Sequence, residues 1–237
     1  MSNLAILAID AATEACSVAL MYQGKLFHQF EVCPQQHSVK ILPMVDKVLT
    51  DAGVSLAQLD GLAFGCGPGS FTGVRIGVGV AQGLAFGADL PMIPVSSLQA
   101  MAQGVLRLEL QQNSANHASI NSIHVAIDAR MSEVYTAQFV VEDGIAKEQQ
   151  APQVLNPENV DVSDNCFAAG TGWQTYVEQL SSKASGISIS EVLYPDAQDM
   201  LAIAAVELVT GNSLSAADAT PLYVRDTVTW KKLPGRE

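Results

Sequence analysis

The sequence predicts an α/β protein in which a βββαβα unit occurs twice, giving two lobes. Three observations carry that prediction. An apolar run closed by an aspartate, Leu7-Ala8-Ile9-Asp10-Ala11, is answered by Val125-Ala126-Ile127-Asp128-Ala129. Each run is followed by a second strand-like segment and a turn, residues 16–22 with Gln23-Gly24 and residues 134–141 with Asp143-Gly144. Asp10 lies 14 residues before Gly24, and Asp128 lies 16 before Gly144. Apolar runs of strand length also alternate with segments of helical periodicity, the pattern of sheets covered by helices. Buried strands resemble one another, so chance similarity is the competing explanation of the repeat.

In chain order, residues 4–10 form a continuous apolar run that suits a buried strand. Residues 16–22, the turn Gln23-Gly24-Lys25 and residues 26–32 add two more strands. A helix is expected over 38–52. Leu42, Val45, Leu49 and Ala52 recur at helical spacing, Pro43 sits in the early turns, and Gly53 stops it. Ser55 and Gln58 have capping-box spacing ahead of a strand at 61–64. A glycine-rich turn then leads into a helix over 72–87. Residues 91–95 read as a strand, and Ser96 or Ser97 caps a helix running to about Leu110. The polar stretch Gln111-Gln112-Asn113-Ser114-Ala115-Asn116-His117 marks a boundary or a surface loop. The second unit, a more degenerate copy, adds a strand at 166–169 and a helix with Trp173, Val177 and Leu180 at helical spacing. A last helix over 196–210 is ended by Gly211. The expected division is a first lobe at 1–108, a second at 109–214, and a C-terminal segment, 215–237, that packs back on the first.

With 237 residues, 49% of them hydrophobic, the chain can bury a full core. Glycine, proline or charge interrupts the apolar stretches well before the roughly 20 residues of a membrane span. Met1-Ser2-Asn3-Leu4 lacks the basic region of a secretory signal. Cys16, Cys33, Cys66 and Cys166 are widely spaced without a C-x-x-C pair, which suits reduced thiols in a cytoplasm. Twenty-four acidic against twelve basic residues give a formal charge of −12. That balance argues against tight, independent binding to nucleic acid, because Lys and Arg supply most of that affinity. A role inside a larger complex that handles RNA stays open.

The most specific string is Gly65-Cys66-Gly67-Pro68-Gly69-Ser70-Phe71-Thr72-Gly73-Val74-Arg75-Ile76-Gly77. It is not a Walker P-loop, because no Gly-Lys-Ser/Thr follows, and Ser70 and Thr72 stand where a dinucleotide fingerprint would need glycine. Pro68 and Thr72 flank Ser70 where a nucleophile elbow needs glycines. Two readings remain: a structural turn in which Ser70 caps the next helix, or an anion held on free amides. Asp10 and Thr13 of Asp10-Ala11-Ala12-Thr13, with Gly69 and Ser70, are the candidate anion or nucleotide residues. The alternative is that Asp10 and Asp128 are strand-end residues bonding neighbouring amides.

Gly77, Gly79 and Gly83 lie inside the expected helix. Each costs about 0.8–1 kcal/mol against alanine, so close approach of another helix or of a ligand must offset about 3 kcal/mol. At 100° per residue Gly73, Gly77, Val80, Leu84 and Gly87 share one stripe, read with Gly79 and Gly83 beside it. The stripe packs on the protein's own sheet or on another subunit, and a sheet covers only one side. The candidate partner-binding residues of this helix are therefore Thr72, Arg75, Ile76, Gly77, Gly79, Val80 and Gly83. No metal and no cofactor are expected. His28, His37, His117 and His124 form neither H-x-x-x-H nor H-E-x-x-H, and Ile41 stands four residues after His37. No Ser/His/Asp set can be proposed from spacing.

The doubled βββαβα plan resembles that of the actin, sugar-kinase and Hsp70 superfamily, whose first hairpin carries Asp-x-Gly-Thr around a nucleotide phosphate. Asp10 and Thr13 match that pattern and Ala12 replaces its glycine; the second copy, Asp128-Ala129-Arg130-Met131, departs further. More closely, the chain resembles the TsaB (YeaZ) family. The resemblance rests on Leu7-Ala8-Ile9-Asp10, His37-Ser38 with Leu42-Pro43, the Gly67–Gly77 string, Pro94-Val95-Ser96-Ser97-Leu98 and Pro221-Leu222-Tyr223-Val224-Arg225. It is strongest over 4–105 and weak between about 109 and 215. It implies an actin-like cytoplasmic protein that forms homodimers alone and a heterodimer with TsaD, with the ATPase TsaE joining the assembly. Leu42, Val45 and Leu49 of the first helix join the candidate partner-binding residues only as what that resemblance implies for the docking surface. TsaD carries the H-x-x-x-H metal site and transfers threonylcarbamoyl from its adenylate to N6 of adenosine 37, in tRNAs reading codons that begin with A. Ile41 and Ala12 agree with a non-catalytic branch. An autonomous ATPase or phosphotransferase of the same superfamily is the rival reading, and nothing in the sequence supports proteolysis.

Overall fold

Alternation along the first strand sets the layering. In β1 (Ile6–Asp10), Leu7 and Ile9 enter one core while Ile6 and Ala8 enter another, so the strand is buried on both faces and its sequence is apolar throughout. The computed structural model describes residues 4–112, 120 and 122–225. The asparagine-rich part of the polar stretch and residues 226–237 lie outside the described residues.

β1 pairs antiparallel with β2 (Ala15–Tyr22), which pairs antiparallel with β3 (Lys25–Val32). On its other edge β1 runs parallel to β4 (Gly61–Gly67), and β4 parallel to β5 (Met92–Ser96), giving the order β3-β2-β1-β4-β5. The second sheet repeats the scheme. β6 (Ile123–Asp128), β7 (Val134–Glu142) and β8 (Ile145–Leu155) are antiparallel, and β9 (Phe167–Ala169) and β10 (Ser188–Ile189) add in parallel, in the order β10-β9-β6-β7-β8. The fold is the duplicated, actin-like α/β plan that the sequence predicts.

Local signals place the helices of the first unit. α1 (His37–Ala52) ends where Gly53 takes the left-handed conformation, φ 65°, and its amide bonds the Leu49 and Thr50 carbonyls. Ser55 and Gln58 form the expected capping box around a 3-10 turn, Leu56–Gln58. α2 (Phe71–Ala88) is capped by Ser70, whose Oγ accepts from the Gly73 amide at 3.3 Å. The core between this sheet and the two helices joins Leu20, Leu62 and Phe64 to Ile41, Val48, Val74 and Val78.

The second unit is trimmed. Between β8 and β9 stands only a 3-10 turn, Pro157–Asn159. The helix expected through Trp173, Val177 and Leu180 is two short ones, α4 (Thr171–Thr175) and α5 (Val177–Ser181), separated by Tyr176 at φ −126°, ψ 32°. Trp173 and Leu180 enter the same core, whereas Val177, expected on the same stripe, is exposed because the chain turns at Tyr176.

Two helices are exchanged between the sheets. α3 (Ser97–Gln112) follows the first sheet in sequence but packs Leu98, Met101 and Val105 against Val125 and Phe139 of the second. α6 (Ala197–Val209), capped by Asp196, closes the second unit but packs Met200, Ile203 and Ala204 on Ile6, Ala8 and Ile93 of the first. The helices meet where Arg107 donates to the buried Asp199 carboxylate at 2.6 and 3.0 Å. Gly104 makes room there, since a methyl group at that position would press on Asp199 Oδ2.

Candidate functional site

The glycines of α2 divide into two sets with different jobs. Gly73 and Gly77 are buried against the β1–β2 turn: a methyl at Gly73 would overlap the Ala11 carbonyl, and one at Gly77 would touch the Ala11 side chain. Gly79, Gly83 and Gly87 have no neighbour within 4 Å of an added Cβ. Six residues of helix leave Gly83 pointing about 120° away from Gly77 rather than beside it. Gly77 is accounted for inside its own protomer; Gly79 and Gly83 are not.

The outward side of α2 is apolar as well as small. Phe71 is 66% exposed and Phe86 83%, and Thr72, Arg75, Gly79 and Gly83 are exposed with them, while Ile76 and Val80 are half-buried. α1 lies alongside α2. It shows Leu42, 49% exposed, and Val39, 65% exposed, to the outside. Leu49 is half-buried, and Val45, at 3%, belongs to the core. Of the candidate docking residues, the structure thus leaves Leu42, Thr72, Arg75, Gly79 and Gly83 open on two adjacent helices and takes Val45 and Gly77 into the interior. Val39, Phe71 and Phe86 are missed by sequence reasoning. Their signal is an apolar side chain out of phase with the buried stripe.

The Asp10–Thr13 turn is closed on itself. Asp10 Oδ1 accepts from the Ala12 amide at 2.9 Å and Thr13 Oγ1 from the Ala15 amide at 3.4 Å. The Ser70 amide donates to the Ala12 carbonyl at 2.7 Å, and a methyl at Gly69 would overlap that same carbonyl. Asp10 and Ser70 therefore meet at the Ala12 backbone, Gly69 packs on the same Ala12 carbonyl, and Thr13 is tied to the Ala15 amide. Asp128 repeats the strand-end role, with Oδ1 accepting from the Arg130 amide at 2.9 Å. Asp10 Oδ2 has no partner and packs on Gly65, and burial pushes the carboxyl up to about 7, against the opposing pull of the Ala12 amide.

Beside this turn a cleft of about 740 Å³ opens between the lobes, lined by Glu14, His37, Ser70, Arg130, Tyr135 and Tyr223 among others. Arg130 spans its mouth, bonding Glu14 of the first lobe and Asp128 of the second at 3.1 Å each. All four cysteines are free and buried, and burial pushes the Cys16 and Cys66 thiols up to about 12, so neither is a nucleophile near neutrality. Among the described residues no group of three His, Cys, Asp or Glu could hold a metal ion, and no helix is long and apolar enough to cross a membrane.

The family model for TsaD, tRNA N6-adenosine threonylcarbamoyltransferase, matches residues 30–224. The tRNA threonylcarbamoyladenosine biosynthesis protein TsaB of Haemophilus influenzae is 46% identical over 100% of both chains. Its Escherichia coli namesake is 48% identical over 98% of this chain and 99% of that one. The solved structure of YeaZ from Pseudomonas aeruginosa is 40% identical, covers 93% of this chain and 99% of that chain, and superposes with a TM-score of 0.82. The chain belongs to the TsaB (YeaZ) family of tRNA threonylcarbamoyladenosine biosynthesis proteins.

Proposed function

We propose that this protein is a non-catalytic partner and activator of TsaD, which transfers threonylcarbamoyl to N6 of adenosine 37 in tRNAs reading codons that begin with A. One observation carries the reading. Gly79 and Gly83 each give up about 0.8–1 kcal/mol of helix stability, face open space, and sit on the same outward side as Phe86 and Phe71. Small residues flanked by exposed aromatics suit close packing of another subunit's helix. The same face serves a homodimer, so self-association and TsaD binding compete. TsaE joins through the assembly, in the cytoplasm, and tRNA is held elsewhere in it, since a formal charge of −12 disfavours phosphate contacts.

Gel filtration of the chain with purified TsaD tests this. Wild type co-elutes with TsaD, and Gly83→Leu abolishes co-elution while its circular dichroism and melting remain native. Gly77→Leu would not serve as the diagnostic change, because Gly77 faces Ala11 and a leucine there would strain the fold. Co-elution that survives Gly83→Leu and Gly79→Leu together would defeat the docking assignment.

The rival reading, an autonomous ATPase or phosphotransferase, rests on the interlobe cleft. Against it, the turn that would meet a phosphate spends its Ala12 amide on Asp10 and its Ala12 carbonyl on Ser70. Calorimetry with ATP and magnesium on the isolated chain separates the two readings: tight binding with turnover favours the rival.

A further inference from the structure

Residues 214–225 run back along the first lobe and then cross to the second. Leu214 and Met92 exchange both backbone hydrogen bonds. Gln82 of α2 donates to the Ala216 and Ala219 carbonyls, at 3.0 Å each. The Leu222 amide donates to the Cys66 carbonyl at 2.7 Å. Tyr223 then meets Arg75, whose guanidinium carbon lies 5.0 Å from the Tyr223 ring centre and 3.2 Å from that of Phe71. Two residues on, Arg225 reaches the second lobe. Its guanidinium donates to the Ala129 carbonyl at 3.2 Å and to the Glu133 carboxylate, and stands 5.9 Å from the Tyr135 ring centre.

The placement of these contacts matters more than their number. α6 covers the face of the first sheet opposite α1 and α2, and its contact with α3 joins the lobes at that back face. The cleft is lined by Leu222, Tyr223, Val224 and Arg225, so the segment joins the lobes at the front. A rotation about the α3–α6 contact would open or shut the cleft, and the bonds of Arg225 across it would oppose such a rotation. The Arg130–Glu14 pair at the mouth is a weaker restraint, since Arg130 is 74% exposed against 17% for Arg225. The first-lobe end of the segment also meets the outward face of α2, because Tyr223 packs on Arg75 of that face.

We propose that residues 221–225 are a strap that sets the angle between the lobes, and that docking on α2 loosens it by drawing Arg75 away from Tyr223. A partner presenting a carboxylate to the exposed guanidinium has the chemistry to do so, exchanging a cation–π contact for a charge-assisted hydrogen bond. The strap stands on the contacts above; its coupling to docking rests on the function proposed for the α1–α2 face. Linkage makes the coupling reciprocal, so releasing the strap at its far end raises affinity at α2.

Two measurements test this on the full chain. Electron–electron double resonance between spin labels on introduced cysteines at Thr50 of α1 and Glu178 of α5, both exposed, reports the lobe-to-lobe distance. Wild type gives one narrow distribution, and Arg225→Ala broadens it. Should Arg225→Ala fail to fold, Glu133→Gln broadens it less and in the same sense. A distribution unchanged in the folded variants overturns the strap. In the second measurement, Arg225→Ala binds TsaD about 5-fold or more tightly than wild type. Equal or weaker binding overturns the coupling and leaves the strap to the resonance result. If wild type itself does not bind TsaD, the docking reading is what fails, and the label distances still decide the strap.

Discussion

In the first unit β3 is followed by the 16-residue α1 and, after β4, the 18-residue α2. The corresponding places of the second hold a three-residue 3-10 turn and two five-residue helices. The strand orders match strand for strand, and Asp10 and Asp128 each bond the amide two residues on. The inner faces of both units are therefore constrained alike, while the outer helices have diverged. The unit that keeps full-length helices is the one that leaves glycines and aromatics on its surface. Replacing Gly79 and Gly83 would stabilise this surface helix in isolation, and the docking proposed above is the reading that explains why they stand there.

The exchanged helices tie the two units together through one buried ion pair, Arg107 with Asp199. Arg107→Ala leaves the Asp199 carboxylate buried without its partner, and a loss of about 3–5 kcal/mol is expected by urea denaturation. A loss below about 1 kcal/mol would mean that α3 and α6 do not depend on each other.

The next largest effect concerns pH, where the units pull in opposite directions. The native Asp10 carboxyl holds its proton up to about 7, whereas the unfolded chain releases it near 3.8, so Asp10 subtracts stability as pH rises from about 4 to 7. Burial lowers His124 to about 4 from 6.5, with Nε2 accepting from the Ser163 amide, so the second unit loses stability as pH falls through that range. Asp10→Asn should raise stability at pH 7.5 by on the order of 2–4 kcal/mol, and by far less at pH 4.5. Equal gains at both pH values would remove the buried-carboxyl explanation.

The smallest effects sharpen the division within α2. Gly73→Ala should cost about 1–3 kcal/mol through overlap with the Ala11 carbonyl. Gly83→Ala, with open space around it, should stabilise the isolated chain by about 0.8–1 kcal/mol. Thermal melts of the two variants should therefore move in opposite directions; the same sign for both would merge the two sets of glycines.

Much of this was legible in the chain. Gly53, the Ser55–Gln58 pair and Ser70 each mark an element end because capping is a bond between near neighbours. The break at Tyr176 was not legible, since Trp173 and Leu180 keep their period by facing one core from two helices. The roles of Gly77 and Gly83 were not legible either. Spacing gives the angle between two residues but not which angle points at the sheet.

Local order, the doubled strand plan and the family string from Gly67 to Gly77 were determined by the sequence itself, through periodicity and hydrogen bonds that close within a few residues. Only the tertiary structure decided that α3 and α6 trade sheets, that Gly77 is interior while Gly83 is not, and that Arg225 reaches Glu133 across 92 residues. Those outcomes depend on which surfaces meet when two lobes close on each other, and composition and spacing carry no record of that meeting.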